Sequence, residues 1–163
     1  MENILGRHFI SLFLILLFAI RLISQRSTRD RNLRYFWMTV ISCFLLIVED
    51  QAELMAAEDP ALIYWRIFFS VAGYFLRATA TLGLVLVVCK PERRSIALWI
   101  PCFIDLAVCS TAFFTDIAFG YDADYAFYRG PLGYIVFIVP IFYLMVILWL
   151  TFQIGRASCR ERV

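Results

Sequence analysis

The feature that most constrains this chain is a series of five apolar runs separated by short loops of alternating charge. The first and third loops carry mainly basic residues: Arg26, Arg29, Arg31, Arg34, Lys90, Arg93 and Arg94. The second and fourth carry mainly acidic residues: Glu49, Asp50, Glu53, Glu58, Asp59, Asp116, Asp122 and Asp124. Short loops rich in Lys and Arg stay in the cytoplasm. The alternation therefore predicts an N-terminus outside the cell and a C-terminus in the cytoplasm.

The lengths of the apolar runs predict membrane-spanning helices. A helix needs about 20 mostly apolar residues to cross a bilayer, and 63% of the 163 residues are hydrophobic. The predicted spans are approximately Ile4–Ile23, Tyr35–Leu54, Leu62–Cys89, Ile96–Phe114 and Leu132–Phe152. The predicted fold class is therefore all-α, a multi-pass transmembrane bundle of five spanning helices, with the lipid bilayer as its main partner.

The polar residues offer little for catalysis or for binding metal. His8 is the single histidine, and the five cysteines have no CxxC spacing. The sequence contains no nucleophile elbow, no Gly-rich phosphate loop and no HExxH motif. A net charge of only +2 gives no reason to expect nucleic acid. We therefore predict no catalytic residue, no cofactor and no metal site.

Two charges near the middle of predicted spans need a special explanation. Arg77 lies in the third span and Asp105 in the fourth, where an isolated charge costs roughly 2.5–3.5 kcal/mol on insertion scales. Counted from the cytoplasmic ends at about 1.5 Å per residue, the two reach similar depths. They are predicted to form an intramembrane ion pair, acting either as a structural clamp or as part of a polar pocket. Glu49 is a competing partner for Arg77.

A ligand pocket, if the bundle has one, is predicted in its outer half. The candidate ligand-binding residues are Glu49, Asp50, Glu53, Tyr74 and Arg77. The aromatic and acidic loop 115–130 is predicted to lie across the outer headgroup region, because its rings partition there. It either covers the mouth of the bundle or contributes to the pocket.

Two local patterns resemble a known family. They are Gly73-Tyr74-Phe75-Leu76-Arg77 and Tyr128-Arg129-Gly130-Pro131-Leu132-Gly133-Tyr134. Both resemble the N-terminal seven-helix membrane region of bacterial sensory proteins, found ahead of histidine kinase or diguanylate cyclase modules. The resemblance marks Arg129, Gly130 and Pro131 as a motif, together with Tyr74 and Arg77. It places Pro131 in a first helical turn, where its missing N–H has no intrahelical partner.

The resemblance implies a signal-sensing domain in the bacterial cytoplasmic membrane. Such a domain would couple an unknown small-molecule or membrane signal to a cytoplasmic output domain, and the full-length protein would act as a homodimer. No enzyme module is expected in this chain, since two further helices and the output domain of the family pattern are missing. The last ten residues, 154–163, resemble a translated frame of a common sequencing adapter. The sequence thus predicts an incomplete sensory domain at 1–153 and a non-native tail at 154–163.

A second function remains open from the residues. The chain is alternatively a small integral-membrane transporter or a transporter subunit, in which Arg77 and Asp105 line a substrate path. Transporters commonly show Gly- or Pro-broken helices at matching positions of two repeats, whereas Pro101 and Pro140 match no visible repeat. A membrane-embedded enzyme comes third, because paired catalytic residues are lacking.

Overall fold

The chain folds mainly into long helices. The computed structural model describes residues 32–88, 95–122 and 125–160, together with Leu16 and Ile20, which are both helical. The helices are α1 (Asn32–Ala57), α2 (Ile63–Val88), α3 (Ser95–Ser110) and α4 (Ile135–Arg160), with 3₁₀ turns at Pro60–Leu62 and Thr111–Phe113. The strands are β1 (Phe119–Tyr121) and β2 (Phe127–Arg129). The chain is thus mostly helical, as predicted, and the two short strands form within the loop that was predicted to be an interfacial piece.

Helices α1 and α2 form an antiparallel pair joined by a capped turn. Asp59 accepts a hydrogen bond from the backbone N–H of Ala61 at 2.9 Å, and Pro60 occupies the first turn. This combination suits a helix start, because the carboxylate satisfies an orphan N–H and proline has none to satisfy. Farther along the pair, the Thr39 hydroxyl lies 3.3 Å from the carbonyl of Ala80 on α2. The contact fixes the register of the two helices.

Helix α2 is central and contacts α1, α3 and α4. Two apolar clusters lie along it. One contains Leu82 and Val85 of α2 with Cys102 of α3 and Tyr143 of α4. The other lies nearer the β-hairpin and contains Val71, Cys109, Ala112, Ala118, Phe119 and Val136. We call the end of the bundle that carries the β-hairpin the hairpin end.

Helices α3 and α4 are tied together where proline interrupts α3. Pro101 lies inside α3 and lacks the N–H that would continue the ladder of helical hydrogen bonds. The hydroxyl of Tyr143, which is fully buried, donates to the carbonyl of Leu98 at 2.6 Å. Tyr143 thus supplies a polar partner next to the proline.

Three of the described helical segments are long and apolar enough to cross a membrane: Pro60–Val88, Ile96–Phe113 and Ile135–Gln153. The chain itself buries only 22% of the apolar stretch of the second segment and 17% of that of the third. A large apolar surface that a protein leaves uncovered marks contact with lipid or with another apolar surface. The second predicted span, Tyr35–Leu54, lies in α1, which is not among these three segments. The first, 4–23, lies almost wholly outside the described residues, so five spans and the N-outside orientation remain predictions.

Candidate functional site

The hairpin end is built around the two short strands. Phe119, Gly120 and Tyr121 pair antiparallel with Arg129, Tyr128 and Phe127, respectively. The ring of Phe119 packs edge-to-face on Tyr74 of α2, with centroids 5.6 Å apart. The segment predicted to lie flat in the headgroup region therefore folds back onto α2.

Arg66 of α2 holds the tip of the hairpin. Its terminal nitrogen Nη1 donates to the carbonyl of Tyr125 at 2.9 Å, and its guanidinium carbon lies 4.3 Å from the centroid of the Tyr121 ring. Tyr125 has a left-handed backbone with φ of 58°, which is costly for a residue other than glycine. The bond from Arg66 is made to this turn, so the hairpin tip depends on α2 for its geometry.

Tyr121 connects α2 to α1 through its hydroxyl. That hydroxyl donates to Oε1 of Glu53 at 3.4 Å and lies 2.9 Å from the hydroxyl of Ser70. Because the single proton of Tyr121 is directed at Glu53, Ser70 is the donor in the second contact. Burial raises the pKa of Tyr121, and the hydrogen bond from Ser70 opposes this shift. The neutral phenol is therefore the form that links the three elements.

Glu49 lies one helical turn before Glu53 and is buried in the interface between α1 and α2. Only 6% of its surface is exposed, and its carboxylate faces the backbone of Gly73, where a Cβ atom would collide with it. Its Oε2 atom has no hydrogen-bond partner among the residues that the structure describes. A buried carboxylate with an unsatisfied oxygen is costly, so this position is expected to serve more than packing.

Arg77 is the cation nearest to this carboxylate in the described part of α2. Its guanidinium carbon lies 5.2 Å from the centroid of the Tyr74 ring, and its charge acts on Glu49. The side chain itself is exposed. Arg77 therefore lies over the Tyr74 ring and partly balances the charge of Glu49 without bonding Oε2.

Most of the predicted ligand-binding residues meet at the hairpin end. Glu49, Glu53, Tyr74 and Arg77 surround the interface of α1 and α2, and Asp50 is half-buried beside Glu49 on α1. Sequence reasoning missed Arg66 and Ser70 as members of the cluster, and it included Tyr121 only as part of the loop 115–130. One face of α2 carries Arg66, Ser70, Gly73 and Arg77 at helical spacing. This pattern is visible in the sequence, but it indicates a site only once the hairpin is known to pack against that face. We call these residues the hairpin-end cluster: Glu49, Glu53, Arg66, Ser70, Tyr74, Arg77 and Tyr121.

The sequence led us to expect an ion pair between Arg77 and Asp105, but the structure does not bring these two side chains together. Asp105 is fully buried; its Oδ1 lies 3.8 Å from the thiol of Cys109, and its Oδ2 has no partner within the described ranges. The reason is rotational. The side of α2 facing α3 is marked by Thr79, whose hydroxyl lies 3.6 Å from the Cys102 sulfur. Arg77, two residues earlier, points about 200° away around the helix.

The Arg129-Gly130-Pro131 motif closes the hairpin against the start of α4. Gly130 donates to the carbonyl of Ala118 at 3.0 Å, and a Cβ atom at Gly130 would collide with the backbone of Asp116 and Ile117. Arg129 places its guanidinium carbon 4.5 Å from the Phe137 ring centroid. Pro131 lies in a turn before α4, which begins at Ile135, and not in the first helical turn as predicted. The glycine is required by close backbone approach.

Comparisons with known proteins give no further guide to this site. No protein-family model matches the chain, and neither a curated protein nor a solved structure matches it. Among the described residues, no three His, Cys, Asp or Glu side chains are grouped to hold a metal ion. The chemistry of the hairpin-end cluster must therefore be argued from its own residues.

Proposed function

We propose that this chain is a membrane-embedded sensing domain of a bacterial signal-transduction protein. A small molecule binds in the hairpin-end cluster and biases the packing of α1 against α2. The resulting movement passes along α4 toward a cytoplasmic output domain. The observation that carries this proposal is the buried carboxylate of Glu49, whose Oε2 lacks a partner within the described chain at the interface of two long helices.

The arrangement of the helices supports this coupling. The hairpin that covers the cluster continues directly into α4 through the Gly130 turn, and α2 contacts both α1 and α4. A change in the position of Glu49 or Tyr121 can therefore reach α4 in two ways: along the chain through the hairpin, or through the packing of α2 against α4. A ligand shifts such an equilibrium only by its difference in affinity for two packings, and an unsatisfied carboxylate supplies such a difference.

The test is whether a change at the hairpin end alters the opposite end of α4. Trp149 is exposed near the far end of α4, and Trp65 lies near the hairpin. The full chain would be labelled with 5-fluorotryptophan in lipid nanodiscs, with each fluorine resonance assigned by a Trp→Phe variant. We expect Glu49→Gln to move the resonances of both Trp65 and Trp149.

The matched control is Glu58→Gln, which removes one carboxylate from an exposed position just beyond the same end of α1. It should leave the Trp149 resonance unchanged. If Glu49→Gln and Arg77→Ala alter Trp65 while Trp149 stays at the position of the parent protein, the two ends are not coupled. The sensing proposal would then be rejected.

A second function, transport, is favoured by one observation. Asp105 is a fully buried carboxylate inside the apolar segment Ile96–Phe113, and ionisable residues at such depth commonly mark proton or substrate pathways. Proteoliposomes loaded with a pH-sensitive dye would test this. Proton flux that depends on the chain and is abolished by Asp105→Asn would make transport the leading function.

A further inference from the structure

The chemistry around Glu49 indicates what kind of ligand the hairpin-end cluster takes. Its Oε2 is buried and has no donor in the described part of the chain, so the missing partner must supply an N–H, an O–H or a positive charge. Glu53, one turn along α1, adds a second carboxylate to the same side. Two carboxylates side by side disfavour an anionic ligand and favour a cation.

Tyr74 supplies the second element of recognition. The face of a tyrosine ring attracts a cation lying within about 6 Å of the centroid, and the Arg77 guanidinium carbon lies at 5.2 Å. Phe119 packs against the same ring with an interplanar angle of 65°, which limits the space that a ligand has. Arg77 relates the two groups, because its guanidinium lies over the Tyr74 ring and its charge acts on Glu49. A carboxylate and an aromatic face that one cation can serve together form a recognition set for a small organic cation.

Arg77 then occupies the position that such a ligand would take. Its side chain is exposed and makes no hydrogen bond to Oε2 of Glu49. A long arginine side chain that leaves the ring can extend toward the headgroup region, because snorkelling keeps its charge close to water. Gly73 lets the Glu49 carboxylate lie directly against α2, since it presents no side chain there.

We propose that the hairpin-end cluster binds a small guanidinium or primary ammonium compound, which donates to Glu49, lies on the Tyr74 ring and displaces Arg77. This inference rests on the proposed sensing function and names the ligand class of the same site. Displacement of Arg77 is the event that changes the interface of α1 and α2. The arginine is thus an internal competitor of the ligand.

The experiment titrates methylguanidinium, and separately methylammonium, into the full chain in nanodiscs of zwitterionic lipid. Binding is followed by saturation-transfer NMR of the probe, with sodium chloride at matched ionic strength and acetate as an anionic probe. We expect saturable binding of the organic cations and none of acetate. Glu49→Gln should weaken binding by about tenfold or more, as expected for the loss of a charge-assisted hydrogen bond.

Variants of the ring and of the competitor make the test specific. Tyr74→Phe keeps the ring and should leave affinity within about threefold, whereas Tyr74→Leu should weaken it by about fivefold or more. Arg77→Ala should tighten binding severalfold, because the competitor is gone. Glu58→Gln is the charge control and should bind like the parent.

Several outcomes would overturn this inference. The first is that neither the parent nor Arg77→Ala binds the cations saturably. The second is that Arg77→Ala binds them more weakly than the parent does, and the third is that acetate binds saturably. Melting curves of each variant show whether folding is intact; if Glu49→Gln unfolds, Arg77→Ala and Tyr74→Leu decide the question. If the cations fail to bind while Trp149 still responds to Glu49→Gln, the ligand class is wrong and sensing stands. If the cations bind but the Trp149 resonance does not respond, the binding site is supported and the sensing function is rejected.

Discussion

The carboxylate of Glu49 on α1 lies against the backbone of Gly73 on α2, in the space that a Cβ atom would need. This relationship places a buried acidic group at a helix interface that otherwise permits close approach through small residues. It also defines two kinds of glycine in the chain. At Gly73 the neighbour is the end of a flexible side chain, whereas at Gly130 the neighbour is the backbone of Asp116 and Ile117.

Gly73→Ala and Gly130→Ala should therefore differ in their effect on stability. In Gly73→Ala the carboxylate of Glu49 can move aside, and alanine recovers about 0.5–1 kcal/mol of helix propensity, so the free energy of unfolding should change little. In Gly130→Ala the backbone cannot move as easily, and a loss of about 1–3 kcal/mol is expected from overpacking. Unfolding by SDS in mixed micelles measures both.

Gly73→Ala should nevertheless affect binding, because it displaces the Glu49 carboxylate from its position. We expect weaker binding of methylguanidinium with a nearly normal unfolding curve. The double variant Gly73→Ala with Glu49→Ala should be no less stable than Glu49→Ala alone. If Gly73→Ala lowered the free energy of unfolding as much as Gly130→Ala does, Glu49 would be held rigidly, contrary to this argument.

Asp105 offers a direct test of its lack of a partner. Asp105→Asn keeps the shape of the side chain and removes its capacity for charge, so the free energy of unfolding should stay unchanged or rise by about 1 kcal/mol. If Asp105 were paired with Arg77, removing one member would cost about 3–5 kcal/mol. The measurement is the SDS unfolding curve of Asp105→Asn in the presence and absence of Arg77→Leu. If Asp105→Asn lowers the free energy of unfolding strongly and Arg77→Leu reverses that loss, the ion pair between Asp105 and Arg77 does form.

The positions of the helices could largely be predicted from the sequence. In a bilayer every backbone polar group needs an internal partner, so a run of about 20 apolar residues has few alternatives to a helix. The predicted span Leu62–Cys89 begins one residue before α2, which starts at Ile63. The start of α4 was placed three residues too early, because Gly130 and Pro131 form a turn that docks on Ala118.

The partners of the charged side chains could not be predicted in the same way. Depth along a helix follows from counting residues, which made Glu49 a possible partner for Arg77, and the charge of Arg77 does act on Glu49. The direction in which a side chain points depends on the rotation of each helix, which apolar sequences specify weakly. Asp105 and Arg77 have similar depth but face different neighbours, and the contact of Ser70 with Tyr121 depends on a hairpin that no apolar pattern indicated.

Tyr143→Phe should destabilise the packing of α4 on α3. The variant removes the hydroxyl that donates to the Leu98 carbonyl at 2.6 Å beside Pro101, and with it the polar contact between the two helices. The free energy of unfolding should fall by about 1–3 kcal/mol. Tyr134→Phe is the matched control, since Tyr134 is 64% exposed, and it should have little effect. Equal unfolding curves for the two variants would show that the hydroxyl of Tyr143 contributes nothing to stability.

The hairpin contains a second tyrosine whose ionisation is altered by a neighbour. The hydroxyl of Tyr128 donates a hydrogen bond to the carboxylate of Asp116, which raises the pKa of Tyr128. Burial raises the pKa of Tyr121 in the same direction. For a tyrosine with a raised pKa in the folded state, the contribution to stability is complete below the unfolded value of about 10. It is lost as the pH rises through the folded value, because the unfolded state releases its proton first.

Asp116→Asn should therefore lower the pKa of Tyr128 toward its ordinary value of about 10, since the negative charge that opposes phenolate formation is gone. Absorbance of the phenolate near 295 nm, with Tyr128→Phe to assign the titrating group, measures this shift. The parent should lose stability as the pH rises above about 10, and Tyr128→Phe should lose less. If Asp116→Asn titrates like the parent, the hydrogen bond between Asp116 and Tyr128 does not form in solution, and the turn before α4 is held by backbone hydrogen bonds such as those of Gly130 to Ala118 and Leu132 to Ile117.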